Sequence, residues 1–356
     1  MSNLHVLVVT SMWPSAREPW RGRAVEAEVA ALERLGVAVE LDQIPAGESF
    51  RGYFCAGIRT VRDRRSTPRY DLIHAYYGHS GVIARLRRGA PIVLTYCGSD
   101  LNGVQREDGS WTWQSRAEVA IFRQLARMVD ATITMTTAME TQLPPTCRAR
   151  NRVIPSGVDL QRFRPFDREE ARRRLGWPRV PTALFVGDPR LALKNHRLAR
   201  ATCELARASL PSLRLQVAWG VPPEQIPVWM QAADVLLLTS HAEGSPNVIK
   251  EAMASMLPIV STPVGDVPQR LAGVAGCFVR PPEPAALAAA LLQAIAFGRS
   301  PQARRAVRND SIERTAERVL QVYHQVIRCR ARKRSRRSAL RPTTNSPIGE
   351  GHKCES

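Results

Sequence analysis

Short apolar runs alternate with helix-period segments along this chain, and midway along it the alternation begins again. In the first half, residues 4–9, 37–44, 71–74, 91–95, 131–135 and 152–154 read as strands, with helical spacing over 25–35 and 116–128. In the second half the strands fall at 182–186, 213–218, 234–239, 258–261 and 277–279, with helices at 197–210, 225–233, 247–256 and 284–297 between them. Several of these runs are continuously Val-, Ile- and Leu-rich, as strands buried on both faces are. Strands of that kind separated by helices build parallel sheets with helices on both sides. The Arg-, Pro- and Gly-rich stretch 156–181 marks the break between the two halves. The expected architecture is α/β, with two Rossmann-like doubly wound domains facing across a cleft. The reading assigns 1–165 to the first domain and 166–329, including an amphipathic helix at 311–327, to the second. Residues 330–356 form a basic tail expected to be disordered.

A length of 356 residues suits two medium domains. The formal net charge of +19 favours polyanionic partners, whether nucleotides, nucleic acid or an anionic membrane surface. Part of that charge is local, because 328–341 reads RCRARKRSRRSALR. No basic–aromatic recognition module accompanies it, so specific nucleic-acid binding is not expected. An anionic membrane surface, met through the tail, is. Seven scattered cysteines without a C-x-x-C pair favour reduced thiols in a cytoplasmic setting over a disulfide frame or a zinc site. No secretory signal is visible, and the Ala/Leu-rich stretch 284–298 falls short of the roughly 20 residues that span a bilayer.

The stretch EGSPNVIKE, from Glu243 to Glu251, carries most of the functional information. It follows the apolar run 234–239, so Glu243 falls in a strand-to-helix loop and Glu251 about two turns into the helix. That loop is where open α/β sheets bind ligands. A helix N-terminus beside it offers free N–H groups and a positive dipole end to phosphate. Carboxylates accept hydroxyl hydrogen bonds well, so the two glutamates suit a ribose and a sugar. Gly244 permits close approach of a ligand, and Pro246 suits a helix start.

Several motifs in order carry a family resemblance: IPSGVDLQRFRP from Ile154 to Pro165, FVG ending at Gly187, and 243–270 with its EAMA and LPIVSTPVGDVPQR runs. The chain resembles the family-4 glycosyltransferases of the GT-B fold, a retaining, nucleotide-sugar-dependent group. The segments DPRLALK, ending at Lys194, and YCGSD, ending at Asp100, look nearest to the teichuronic-acid type. The resemblance implies that Glu251 binds ribose hydroxyls and that Glu243 lies near the donor sugar. It implies that the backbone of Gly244, Ser245, Asn247 and Val248 meets the sugar and the distal phosphate. Lys194 and Arg190 would neutralise the diphosphate, while Gly187 and Gly22 would allow its approach. His74, Tyr77, Cys97 and Asp100 are expected on the acceptor side, with His74 and Tyr77 facing the cleft; a packed core position for His74 and a capping role for Asp100 are the alternatives. Cys97 departs from the pattern, because many members carry histidine in that loop.

No Asp-x-Asp pair is present, so metal-independent transfer is expected. No cofactor is expected either, the nucleotide-sugar being a substrate and a glycan or lipid-linked molecule the acceptor. The setting implied is the inner membrane face, in surface polysaccharide or glycolipid synthesis. A GT-B-fold sugar-nucleotide epimerase and an inactive, polyanion-binding relative are the competing readings.

Overall fold

The computed structural model describes residues 4–44, 50–62, 70–87, 89–103, 110 and 112–339. Among them eleven strands form two separate sheets. The first holds β1 (His5–Thr10), β2 (Ala38–Gln43), β3 (Leu72–Tyr76), β4 (Ile92–Tyr96), β5 (Ala131–Thr134) and β6 (Asn151–Val153), in the order β2-β1-β3-β4-β5-β6. The second holds β7 (Thr182–Val186), β8 (Arg214–Ala218), β9 (Val235–Leu238), β10 (Ile259–Ser261) and β11 (Cys277–Val279), in the order β11-β10-β9-β7-β8. Every pairing is parallel.

Each strand sends alternate side chains to opposite faces, and both faces are covered. In β1, Val6 and Val8 enter one core while Leu7 and Val9 enter the other. In the second sheet Leu184, Leu236 and Leu238 face one way, and Ala183, Phe185, Val235 and Leu237 the other. The helix Pro284–Phe297 closes that second face through Leu287, Ala290, Leu291 and Ala294. Among the described residues no helix is long and apolar enough to cross a membrane.

Strand order reverses at β1/β3 in the first sheet and at β7/β9 in the second. A crevice opens at the carboxyl ends of strands at such a point. The loops after β1, β3 and β4 and the loops after β7, β9 and β10 therefore supply the site. Two of these loops approach closely: a Cβ on Gly244 would lie 3.4 Å from the Cα of Gly98 in the other domain.

The last helix differs from expectation in two ways. Its apolar stripe, Ile312, Ala316, Val319, Tyr323 and Val326, packs with Val6, Val8, Val25 and Leu32 of the first domain. Chain order placed this helix in the second domain, but the stripe completes the outer core of the first sheet. The chain therefore crosses between domains twice. The crossings are tied together where Val158 N–H donates to the Asp310 carbonyl (2.9 Å) and Ile312 N–H to the Val158 carbonyl (3.0 Å). The helix also continues from Ile312 to Ala339, into the stretch expected to be disordered. Arg, Lys and Ala are good helix formers, which accounts for its persistence. Residues 340–356 lie outside the described residues.

Candidate active site

The loop after β7 and the loop after β9 are stitched together before any ligand is considered. Thr239, just past β9, donates its hydroxyl to the carbonyls of Lys194 (3.1 Å) and Asn195 (3.0 Å). His241 N–H donates to the Leu193 carbonyl (2.9 Å). Asn195, left-handed at φ 49, caps the helix His196–Ala206 by accepting from Leu198 N–H. Lys194 is thereby aimed at Glu243. Its Nζ donates to Glu243 Oε1 at 2.6 Å, and Ser240 Oγ donates to the same oxygen at 2.9 Å. An ammonium carries three donors, so two remain for phosphate oxygens.

The turn after Glu243 is braced from below. The helix Asn247–Ala254 begins after Pro246 with no side-chain cap, leaving its first N–H groups for a ligand. Val248 lies partly buried in that first turn against the core beneath. Ser245 Oγ donates to Asp266 Oδ2 (2.8 Å), which also accepts from Arg270 Nη2 (2.8 Å). Asn247 Oδ1 accepts from Ser156 Oγ at 2.6 Å. Gly265, at φ 53, is required: a Cβ there would sit 2.1 Å from the Gly244 carbonyl oxygen, which Asp266 N–H also holds at 3.1 Å.

Lys250 was assigned no role from sequence, yet it is fully buried, and its Nζ donates to the carbonyl (2.8 Å) and hydroxyl (2.9 Å) of Ser156. Burial pushes it down to about 8. It joins the Ile154–Pro165 motif to the turn after Glu243, reaching Ser245 Oγ at 3.4 Å. A signal was present in the sequence, since Lys250 stands three, four and seven residues before the buried Met253, Ala254 and Leu257. Asp266 and Arg270 lie in a motif read only for its resemblance.

Glu251 lines a cavity of about 220 Å³ whose walls include Gly187, Arg162, Trp20 and Trp219. Partial burial pushes its carboxyl up to about 7, against the pull of Arg162 and Lys250. The raised value means that Glu251 is neutral below about pH 7 and charged above it. Only the ionised form accepts two hydroxyl hydrogen bonds without competition from its own proton. Donor affinity is therefore expected to be full above pH 7 and to fall as pH drops through it, by about tenfold per pH unit. Nucleotide titrations from pH 5.5 to 8.5 check this, and Glu251→Gln should remove the slope.

Arg190 is corrected. Its guanidinium pairs with Asp188 through Nε (3.0 Å) and Nη2 (2.9 Å), stays 75% exposed, and lies over the Trp219 ring. Trp219 in turn lines the cavity. Gly22 has a structural reason of its own: at φ 67, a Cβ would fall 2.2 Å from the Met12 carbonyl oxygen.

On the acceptor side, His74 is corrected too. It is fully buried in β3, away from the cleft, with Nδ1 2.6 Å from Tyr323 Oη and Nε2 2.7 Å from Thr95 Oγ1. Burial pushes its imidazole down to about 3, so it stays neutral. His74→Ala is expected to cost about 2–5 kcal/mol of stability, through a cavity and two orphaned hydroxyls, and to leave acceptor KM unchanged. Thermal melts and acceptor kinetics on the same variant test both halves.

Asp100 is buried and spends its carboxylate on its own turn, accepting from Cys97 N–H (3.0 Å) and Gly98 N–H (2.9 Å). Burial pushes it up to about 6. It holds the turn of its own loop. Burial also raises the Cys97 thiol, which points to the Thr95 carbonyl. Tyr77, at φ 79 just past β3, reaches Ser99 Oγ with its hydroxyl at 3.1 Å, next to the Gly98 that approaches Gly244.

Comparison with known proteins agrees with this geometry. A "Glycosyltransferase Family 4" model matches residues 3–162, and a "Glycosyl transferases group 1" model matches residues 182–296. The chain is 23% identical over 352 residues to a glycosyltransferase named for teichuronic acid biosynthesis in Bacillus subtilis (strain 168), covering 81% of this chain and 88% of that protein. Among solved structures, sucrose-phosphate synthase from Thermosynechococcus elongatus superposes with a TM-score of 0.75 at 20% identity, covering 92% of this chain and all of the other. HepE from Anabaena, in complex with UDP, superposes with a TM-score of 0.64 at 17% identity, over 90% of this chain and all of the other. With twin parallel sheets and family models matching residues 3–162 and 182–296, this chain belongs to the family-4 glycosyltransferases of the GT-B fold.

Proposed function

We propose that this glycosyltransferase moves a sugar from a nucleotide-diphosphate sugar to a hydroxyl of a glycan or lipid-linked acceptor, with retention and without a metal, in surface polysaccharide or glycolipid synthesis. The observation that carries the reading is the Lys194–Glu243 pair at 2.6 Å, beside the uncapped helix start at Asn247 and the Glu251 cavity. UDP bound to the structural neighbour HepE supports a nucleotide donor.

In this reading the bond between the anomeric carbon and the phosphate oxygen breaks, and its electron pair leaves with the diphosphate. The acceptor hydroxyl forms the new bond from the same face, and its proton leaves on the diphosphate. Lys194 and the N–H groups at 247–248 stabilise the growing negative charge, as preorganised cationic groups and dipoles do. Arg190 contributes only if it leaves Asp188. Incubating the enzyme with donor and acceptor candidates in the presence of EDTA, and reading the anomeric configuration of the product by NMR, tests the proposal. An inverted product or a strict metal requirement contradicts it.

The same reading sets the protein against an anionic membrane surface through the basic end of its last helix, where Arg328, Arg332 and Lys333 are exposed. Each basic residue near such a surface contributes about 1 kcal/mol. Deleting residues 332–356 is expected to abolish binding to anionic vesicles, leave neutral vesicles unbound, and leave transfer in solution unchanged. Vesicle flotation and a soluble-acceptor assay check this.

A further inference from the structure

Trp20 is a large apolar side chain with no core to serve. It is 44% exposed on the loop after β1, in the first domain, yet its ring lies 5.0 Å from that of Trp219 in the second, at 57°. The loop that carries it is a built turn. Gly22 presses against the Met12 carbonyl in a conformation that side chains avoid, and Arg23 Nε donates back to the Pro19 carbonyl at 2.7 Å. A second link joins the same two elements: Arg23 Nη2 pairs with Glu224 Oε1 at 3.0 Å across the domain boundary. Both indoles line the cavity that holds Glu251.

Two aromatic faces set at an angle make a corner that suits a flat heteroaromatic ring, which can lie on one indole and meet the edge of the other. We infer that Trp20 is the first domain's share of the nucleobase subsite, so that the base of the donor is gripped by both domains at once. Resting on the donor reading above, this adds a specific residue to it. The loop after β1 thus contributes Trp20 and Arg23 to the cavity that Glu251 also lines. The turn at Gly22 then serves to deliver Trp20, whatever its distance from the phosphates.

The test is calorimetric titration of wild type, Trp20→Ala and Trp20→Phe with UDP, GDP, ADP and inorganic pyrophosphate. Pyrophosphate reports the phosphate subsite without a base. Trp20→Ala is expected to weaken the preferred nucleotide about tenfold, the size of one lost base–aromatic stack. Pyrophosphate affinity should stay within about twofold, and Trp20→Phe should retain most of the nucleotide affinity. Equal nucleotide affinity in wild type and Trp20→Ala overturns the inference and leaves the donor reading standing. Loss of pyrophosphate affinity in parallel also overturns it, because the effect would then lie in the fold of the site. If wild type binds no nucleotide, the donor reading and this inference fall together.

Discussion

Lys194→Ala is expected to lower turnover about 10²–10³-fold, the cost of removing one preorganised charge-stabilising group from an enzyme site. The effect follows from position. The ammonium is fixed by Glu243 at 2.6 Å, by a 3₁₀ turn ending at Lys194, and by the hydroxyl of Thr239 on the backbone just behind it. A group held this firmly does not reorganise as charge grows on the leaving diphosphate. Its contribution therefore rises from ground state to transition state, and the loss should appear in kcat more than in KM. Because the side chain is only partly buried, the variant should fold. Lys194→Arg should recover part of the rate, since it keeps the charge in altered geometry. Unchanged turnover in Lys194→Ala would remove Lys194 from the mechanism.

Glu251→Ala is expected to show the opposite split. Two hydroxyl hydrogen bonds to a charged carboxylate contribute about 1.5–3 kcal/mol each, so donor affinity should fall about 10²-fold or more, chiefly in KM. The empty protein should behave in a second, distinctive way. The folded value of Glu251 is raised to about 7, above its ordinary 4.5. A raised acid favours the fold below 4.5 and loses that contribution as pH climbs through 7. At pH 8 the buried charge opposes folding, so Glu251→Gln without ligand should melt above wild type. Lower donor affinity together with higher stability separates a binding role from a structural one. Lower affinity with lower stability would assign Glu251 to the fold.

Most of the architecture was legible because several strands, such as β1 and β9, are runs rich in Val and Leu and too short for a helix. The positions of Glu243 in a loop after a strand and of Glu251 in the helix that follows were legible from their spacing behind the apolar run of β9. His74 was misplaced for a physical reason. Strand β3 runs two residues further than its hydrophobic pattern suggests, to Tyr76, and it is buried on both faces. A polar residue there has no solvent side to turn toward, and it is matched instead by Tyr323 from a helix that arrives 249 residues later. The same long return defeated the domain assignment of that helix. Arg190 was misread because its partner Asp188, two residues away, captures it locally. Lys250 was overlooked beside Glu251, although its phase with Met253 and Leu257 marked it as inward-facing. What local spacing cannot show is which distant element completes a pocket; Trp20 meeting Trp219 is such a case.

The central claim is that a nucleotide donor binds at the Glu251 cavity without a metal. It is tested most directly by a thermal-shift panel of UDP, GDP, ADP and CMP and their sugar conjugates, with and without EDTA, on wild type and Glu251→Ala. A ligand at 100 times its dissociation constant stabilises a protein by about 2.7 kcal/mol, a shift of several degrees. Wild type should show such a shift with one nucleotide, unchanged by EDTA and lost in Glu251→Ala. No shift with any nucleotide, or a shift that EDTA abolishes, would contradict the claim.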